Sequence, residues 1–211
     1  MNGGFILRQF FDVSLPITEE MVVSPGKPEP SIQRYASVPK DKVNESILTL
    51  GSHTGTHVES RLHLRDGKEG VADLPLDHFY GKCRVFDLTL VESEIHRQDL
   101  EEFEIGPEEI VLLKTRNSAL GYMKFLENYV HLKMDAAEYL VNAEIKTLGF
   151  DYLSVKKPEG DDEVRELLIN NTTLFLGLNL TGIHEGEYTF IGLPLRIDTD
   201  GAPARVILVR E

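Results

Sequence analysis

Cysteine occurs once in this chain, at Cys83. A lone thiol forms no internal disulfide, which fits a reducing compartment. Long apolar runs are missing as well, and no stretch approaches the ~20 residues that a bilayer-spanning helix needs. The opening segment MNGGFILRQFFDVSLPI breaks its short apolar runs at Arg8 and Asp12. It therefore lacks the apolar stretch of about 7–15 residues that marks a secretory signal, and the expectation is a cytoplasmic protein. Cations are scarce: Lys and Arg total 22 against 35 Asp and Glu, for a formal charge of −13. Neutralising phosphates takes clustered cations, so a nucleic-acid partner is not expected and an anionic membrane surface is disfavoured. The chain has no Gly-rich phosphate loop of the required spacing, no internal repeat and no low-complexity segment.

What is present suits one domain over 1–211, with 41% apolar residues to fill a core. FDVSLPI (11–17) alternates apolar and polar residues as a half-buried strand does. VVSPGKPEPS (22–31), with three prolines and a glycine, is a surface loop. CRVFDLTL (83–90), EIVLLKTR (109–116), KTLGFDYLSV (146–155) and TLFLGLNL (173–180) read as strands. Helices are expected over SEIHRQDLEEF (93–103), MDAAEYLVNAEI (134–145) and DDEVRELLINN (161–171). EYTFIGLPLRI and ARVILVR flank the turn DTDGAP and close the chain as a hairpin. The mixture is α/β or α+β around a mixed sheet.

The chemistry concentrates in SHTGTHVES, residues 52–60, which sets His53 and His57 four apart around Gly55 and follows them with Glu59. Two imidazoles and a carboxylate suit a divalent cation. In a straight strand, positions four apart lie roughly 13 Å from one another, too far for one ion. Residues 53–57 must therefore bend, with Gly55 permitting the bend and Thr54 and Thr56 bonding nearby backbone to hold it. His63 adds a fourth titratable group that can work as acid or base beside a bound water.

GSHTGTHVES followed by LH at 62–63 resembles the signature of the cyclase family, roughly H-x-G-T-H-x-D-x-P-x-H, whose members include the bacterial kynurenine formamidases. FDVSLPITEEMVVSPGKP, LHLRDGKEGVADLPLDHFYGKCRVFDL, EEIVLLKTRNS, AAEYLV with KTLGFDYLSV, and GLNLTGIHEGEYTFIGLPLRIDTDGAPARVIL are similar to further family blocks in the same order. The resemblance implies an α/β single domain with a mixed β-sheet core and outer helices, commonly assembled as a homo-oligomer. It also implies a metal-dependent hydrolase of an amide or cyclic-amide bond in a small molecule. Carried over by position, His53, His57 and Glu59 would hold metal, Glu59 standing where the family has aspartate. His63 would be the catalytic acid/base. Arg61, standing where the family has proline, would bind substrate, pair with Glu59 or reach solvent.

The family's further ligands, a histidine and a glutamate twelve residues on, fall on Val164 and Leu176. Neither side chain binds metal, so the resemblance implies at most one zinc or manganese ion. The same departures also suit a non-hydrolytic homologue that binds a small molecule or a protein. Other polar residues read as structural: His184 in a solvated turn, His78 packed locally, Asp151 in hydrogen bonding, and Cys83 as a buried inert thiol.

Overall fold

The computed structural model describes residues 8–157, 159–160 and 162–210. Residues 1–7 of the opening segment and residue 161 of the expected third helix lie outside the described residues. In chain order the strands are β1 (Gln9–Asp12), β2 (Ser31–Ala36), β3 (Glu45–Thr49), β4 (His57–Glu59), β5 (Tyr80–Asp87), β6 (Glu94–Ile95) and β7 (Ile110–Lys114). They continue with β8 (His131–Leu132), β9 (Thr147–Phe150), β10 (Thr173–Leu176), β11 (Gly186–Pro194) and β12 (Gly201–Arg210). The helices are α1 (Arg116–Leu120), α2 (Met134–Asn142) and α3 (Glu163–Asn171).

The sheet is mixed, as the sequence suggests, but it closes on itself. The order β12-β11-β5-β7-β9-β10-β4 returns to β12, giving a seven-stranded barrel-like ring, with β1 added along the far half of β12. β5, β7, β9 and β10 run parallel, and the remaining neighbours in the ring are antiparallel. The architecture is broadly α/β, with a closed core and few helices rather than an open sheet wrapped by many.

Strand alternation sorts the core into two layers. Val58, Ile110, Leu112, Phe175 and Phe190 point inward and fill the barrel. Val111, Leu113, Leu148, Phe150, Leu174 and Leu176 point outward and are covered by Ala136, Ala137 and Leu140 of α2 and Leu168 of α3. A strand buried on both faces carries an uninterrupted apolar run, which is why IVLLK and TLFL read so plainly. At Gly149 an added Cβ would lie 2.3 Å from Leu112 and 2.6 Å from Leu178, so the barrel interior has no room there for a side chain.

The helix expected over 93–103 does not form. Glu94 and Ile95 pair in parallel with His131 and Leu132, and two 3-10 turns follow at Arg97–Asp99 and Glu101–Phe103. Asp99 accepts from His96 N and Asp135 accepts from Arg97 N, so side chains take the donors that a helix would have used. Ile95 and Leu100 are fully buried all the same, so the segment contributes to the core without being helical. Among the described residues no helix is long and apolar enough to cross a membrane.

Candidate metal centre

The segment before β4 bends as the spacing demands. Residues 52–56 are turn and bend, strand begins only at His57, and Gly55 has φ +65°. Thr56 locks the bend, though its partners are distant in sequence rather than nearby. Its hydroxyl donates to Gly177 O at 2.5 Å and accepts from Leu15 N at 2.8 Å. Gly177 approaches so closely that a Cβ there would lie 2.7 Å from Gly55 O. Alternation in β4 then sends Val58 into the barrel and His57 and Glu59 to the outer face, toward α3.

Three imidazoles gather at this point. The His53 ring lies 4.9 Å from His57 and 4.2 Å from His63, centroid to centroid. His57 Nδ1 is 2.8 Å from Gly55 O. A carbonyl only accepts, so Nδ1 carries the proton and Nε2 presents its lone pair. That Nε2, like Glu59 Oε2, is buried with no hydrogen-bond partner. Glu59 Oε1 lies 3.3 Å from His53 Nδ1 and 3.8 Å from His57 Nε2. Ligand atoms bound tetrahedrally at about 2.0–2.2 Å sit roughly 3.3–3.6 Å apart. An unpartnered imidazole lone pair, a second imidazole and a buried carboxylate at this separation fit a divalent cation, and His53, His57 and Glu59 are the residues that would hold it.

Burial alone would raise the Glu59 carboxyl. Hydrogen bonding from His53 and the nearby Arg165 charge hold it well below the usual carboxylate value. Burial likewise pushes His53 down, but Glu59 and Asp200 together outweigh it and hold the ring above its ordinary value when no ion is present. His63 falls below its ordinary value, first through burial and then through the charges of His53 and Arg165, against the opposing pull of Glu59 and Asp200.

Two further residues at the site are not among those the sequence singled out. Asp200, in the turn entering β12, places Oδ2 2.7 Å from His53 Nε2 and 3.0 Å from His63 Nδ1. It fixes the orientation of both rings, and these contacts hold its own carboxyl well below the ordinary value despite burial. The turn is itself fastened, because Asp200 O accepts from both Ser60 N and Ser60 Oγ at 3.0 Å. Arg165, in the first turn of α3, is largely buried and donates through Nη2 to Ser154 Oγ at 3.1 Å. The rule that could have found Arg165 is electrostatic: a cation in a helix's first turn opposes the macrodipole and calls for a reason. Asp200 lay inside a turn whose composition explained it fully.

Arg61 does not enter the cavity. Its guanidinium donates to Asn170 O at 2.6 Å and lies 3.8 Å from Glu69, half exposed near the C-terminal end of α3. The extended chain ends at Ser60 and a 3-10 turn begins at Arg61, whose side chain runs to Asn170 near the end of α3 instead of into the cavity. Val164 packs against the outer core, and Leu176 is fully buried in register with His57, so neither supplies a ligand. Nor have they filled the site: a cavity of about 620 Å³ stands open over the cluster, bounded by Pro25, Lys27, Phe125, Tyr129, Leu153 and Lys156 among others.

The remaining polar candidates are structural. His78 Nδ1 meets Thr173 Oγ1 at 2.7 Å. Asp151 is fully buried and accepts from the backbone N–H and hydroxyl groups of Thr115 and Ser118. Burial pushes the Cys83 thiol up to about 12, which leaves it unreactive.

Residues 11–157 match the family model described as "Putative cyclase". A kynurenine formamidase of Bacillus cereus is 31% identical over 208 residues, covering 95% of this chain and 97% of the relative. A structure described as a potential metal-dependent hydrolase with cyclase activity superposes with a TM-score of 0.87 at 32% identity, over 97% of this chain and 100% of the other. An isatin hydrolase bound to the product analogue thioisatinate shares the fold at 19% identity, with a TM-score of 0.85 over 96% and 92% of the two chains. The signature, the closed mixed sheet and these matches agree: the chain belongs to the cyclase family.

Proposed function

We propose that the protein is a metal-dependent hydrolase that opens an amide or cyclic-amide bond in a small molecule, similar to kynurenine formamidase, with one divalent ion, zinc or manganese, held by His53, His57 and Glu59. The observation that carries this reading is the unpartnered His57 Nε2 beside the unpartnered Glu59 Oε2 at the floor of an open cavity. Buried polar atoms left without partners are costly, and a bound cation satisfies them.

When bound, the ion supplies Lewis-acid chemistry, acidifying water and polarising a carbonyl. The rest falls to this chain. Asp200 accepts the His63 Nδ1 proton, which leaves His63 Nε2 as a base facing the cavity, 3.9 Å from Glu59 Oε1. His63 takes a proton from the attacking water and returns it to the departing nitrogen. Water thereby adds across the C–N bond, its oxygen to the acyl carbon and its proton to nitrogen. Phe125, Tyr129 and Leu153 offer an apolar and aromatic wall that suits an aryl group. Arg61, held outside the cavity, has no substrate contact in this mechanism.

The whole chain, 1–211, acts as one catalytic domain in this reading. It works as a homo-oligomer: the β2–β3 hairpin exposes Tyr35, Ile47 and Leu48 at 60%, 54% and 61%, and a two-stranded hairpin is marginal unless something covers it. Light scattering that gives only monomer removes the oligomer.

The test is turnover. Protein loaded with zinc or manganese is expected to hydrolyse N-formyl aryl amides or aryl-fused cyclic amides, with loss on chelation and return on adding the ion. Metal-loaded protein inert toward both classes refutes the hydrolase.

A further inference from the structure

We propose that Arg165 is a built-in second cation of this site, which binds the carboxylate that hydrolysis generates. The chemistry rests on the hydrolase reading above; the anion binding does not. Arg165 is the third residue of α3, and the other charged residues of that first turn are Glu163 and Glu166. A helix N-terminus already carries partial positive charge, so a cation facing inward from this turn needs anions, and those it has, Glu59 Oε2 at 3.6 Å and Asp162 Oδ1 at 3.9 Å, sit at ion-pair distance without a hydrogen bond.

Its surroundings name the anion. The guanidinium is pinned at one end by its bond to Ser154 Oγ. Nη1 lies 3.4 Å from His63 Nε2, and Nε lies 3.6 Å from Glu59 Oε2, beyond hydrogen-bond reach. Nε and Glu59 Oε2 are both buried without hydrogen-bond partners. A guanidinium carries five N–H donors in a planar fork, and Arg165 leaves several unspent toward the cavity it lines. Such a fork is matched by the two oxygens of a carboxylate.

Charge balance points the same way. With a divalent ion in place and the three imidazoles neutral, the ion, Arg165, Lys27, Lys156 and Lys157 bring six positive charges against the five negative charges of Glu59, Asp200, Asp162, Glu127 and Glu159. One positive charge remains, the complement of one carboxylate. Breaking the C–N bond with water yields that group beside the ion, within reach of Nη1 and Nε. With Phe125, Tyr129 and Leu153 opposite, the carboxylate held belongs to an aryl-bearing product when an aryl-fused cyclic amide opens, and is formate beside an aryl amine when an N-formyl aryl amide is cut.

The probe is benzoate, titrated calorimetrically into chelator-treated and into zinc-loaded protein, for the wild type, Arg165→Lys and Arg165→Met. Melting curves and circular dichroism confirm that each variant folds. The wild type is expected to bind benzoate in both states. Arg165→Met should weaken it at least tenfold in both, and Arg165→Lys by less, since charge is kept and the fork lost. Zinc affinity should rise several-fold in Arg165→Met, because a repelling charge beside Glu59 is gone, with stoichiometry still one. Benzoate binding that is absent from the wild type or unchanged in Arg165→Met overturns the proposal, as does a zinc affinity that falls. A lowered melting temperature with an unchanged benzoate titration assigns Arg165 to neutralising Glu59 alone and also overturns it. If the wild type takes up no zinc yet metal-free benzoate binding depends on Arg165, the hydrolase reading falls and this one stands.

Discussion

Asp200 Oδ2 lies 2.7 Å from His53 Nε2, across 147 positions of sequence. The carboxylate takes the proton on the outer nitrogen of the ring and leaves Nδ1 free toward Glu59. A carboxylate behind a ligating histidine typically improves metal affinity by about 10–100-fold. Asp200→Ala is therefore expected to weaken zinc or manganese binding by roughly that factor in calorimetric titration. Unchanged affinity would mean that Asp200 is not oriented against a metal ligand.

Ligand count sets the metal content. In the proposed site His53, His57 and Glu59 would hold one ion, and Val164 and Leu176 offer nothing to a second. Dialysed protein should carry about one zinc or manganese ion per chain by elemental mass spectrometry, as expected for one three-ligand site. His57→Ala should carry none, since two ligands rarely retain a hydrolytic metal. Two tightly held ions per chain would show that other residues serve as distal ligands.

His63 lies outside the three-residue ligand set but faces it, with Nε2 3.9 Å from Glu59 Oε1. His63→Ala should keep the ion and lower kcat by about 10²–10⁴-fold, the usual worth of a positioned acid/base. Metal loss in this variant would move His63 into the ligand set.

Gly201 supports His53 from behind. An added Cβ there would lie 2.8 Å from His53 Cε1 and 3.1 Å from Val58 O. The barrel backbone gives less readily than the ring, so Gly201→Ala should push His53 off the site. Overpacking of this kind costs about 1–3 kcal/mol, and metal affinity should fall at least about tenfold, by the arithmetic of 1.4 kcal/mol per decade. Gly106→Ala, where a Cβ meets nothing within 4 Å, is the control and should leave affinity unchanged.

Asp151 ties the end of β9 to the start of α1 through four donors. Burial pushes its carboxyl up to about 6, against those bonds, so it is ionised at pH 7. Asp151→Ala strands buried donors and should cost about 3 kcal/mol or more by urea denaturation, whereas Asp151→Asn, which keeps an acceptor, should cost about 1 kcal/mol. Equal losses in the two variants would show that packing rather than hydrogen bonding sets the effect.

The bend between His53 and His57 was legible because it is forced: two imidazoles four residues apart cannot share an ion along an extended chain. Gly55, at φ +65°, is where the chain turns. The strands buried on both faces were legible for a similar reason, since a run such as IVLL has no polar position to present to water. The segment 93–103 misled because Phe103 stands three residues from Leu100 and eight from Ile95, separations that suit one helical face but that a short strand and two tight turns accommodate equally well.

The local chain by itself determined the bend, the inward and outward alternation of His57, Val58 and Glu59, and the membership that these residues signal. Only the tertiary structure decided closure, because a ring requires β12 to pair with β4 across more than 140 positions, a contact that no local pattern encodes. It also decided which charges face the ion. Arg61, next to the motif, is tied down outside the cavity by Asn170 O where the 3-10 turn begins, while Arg165 and Asp200, distant in sequence, are brought in by α3 and by the entry to β12. A site's electrostatics depend on distances of a few ångströms, and such distances between separate segments exist only once the barrel has closed.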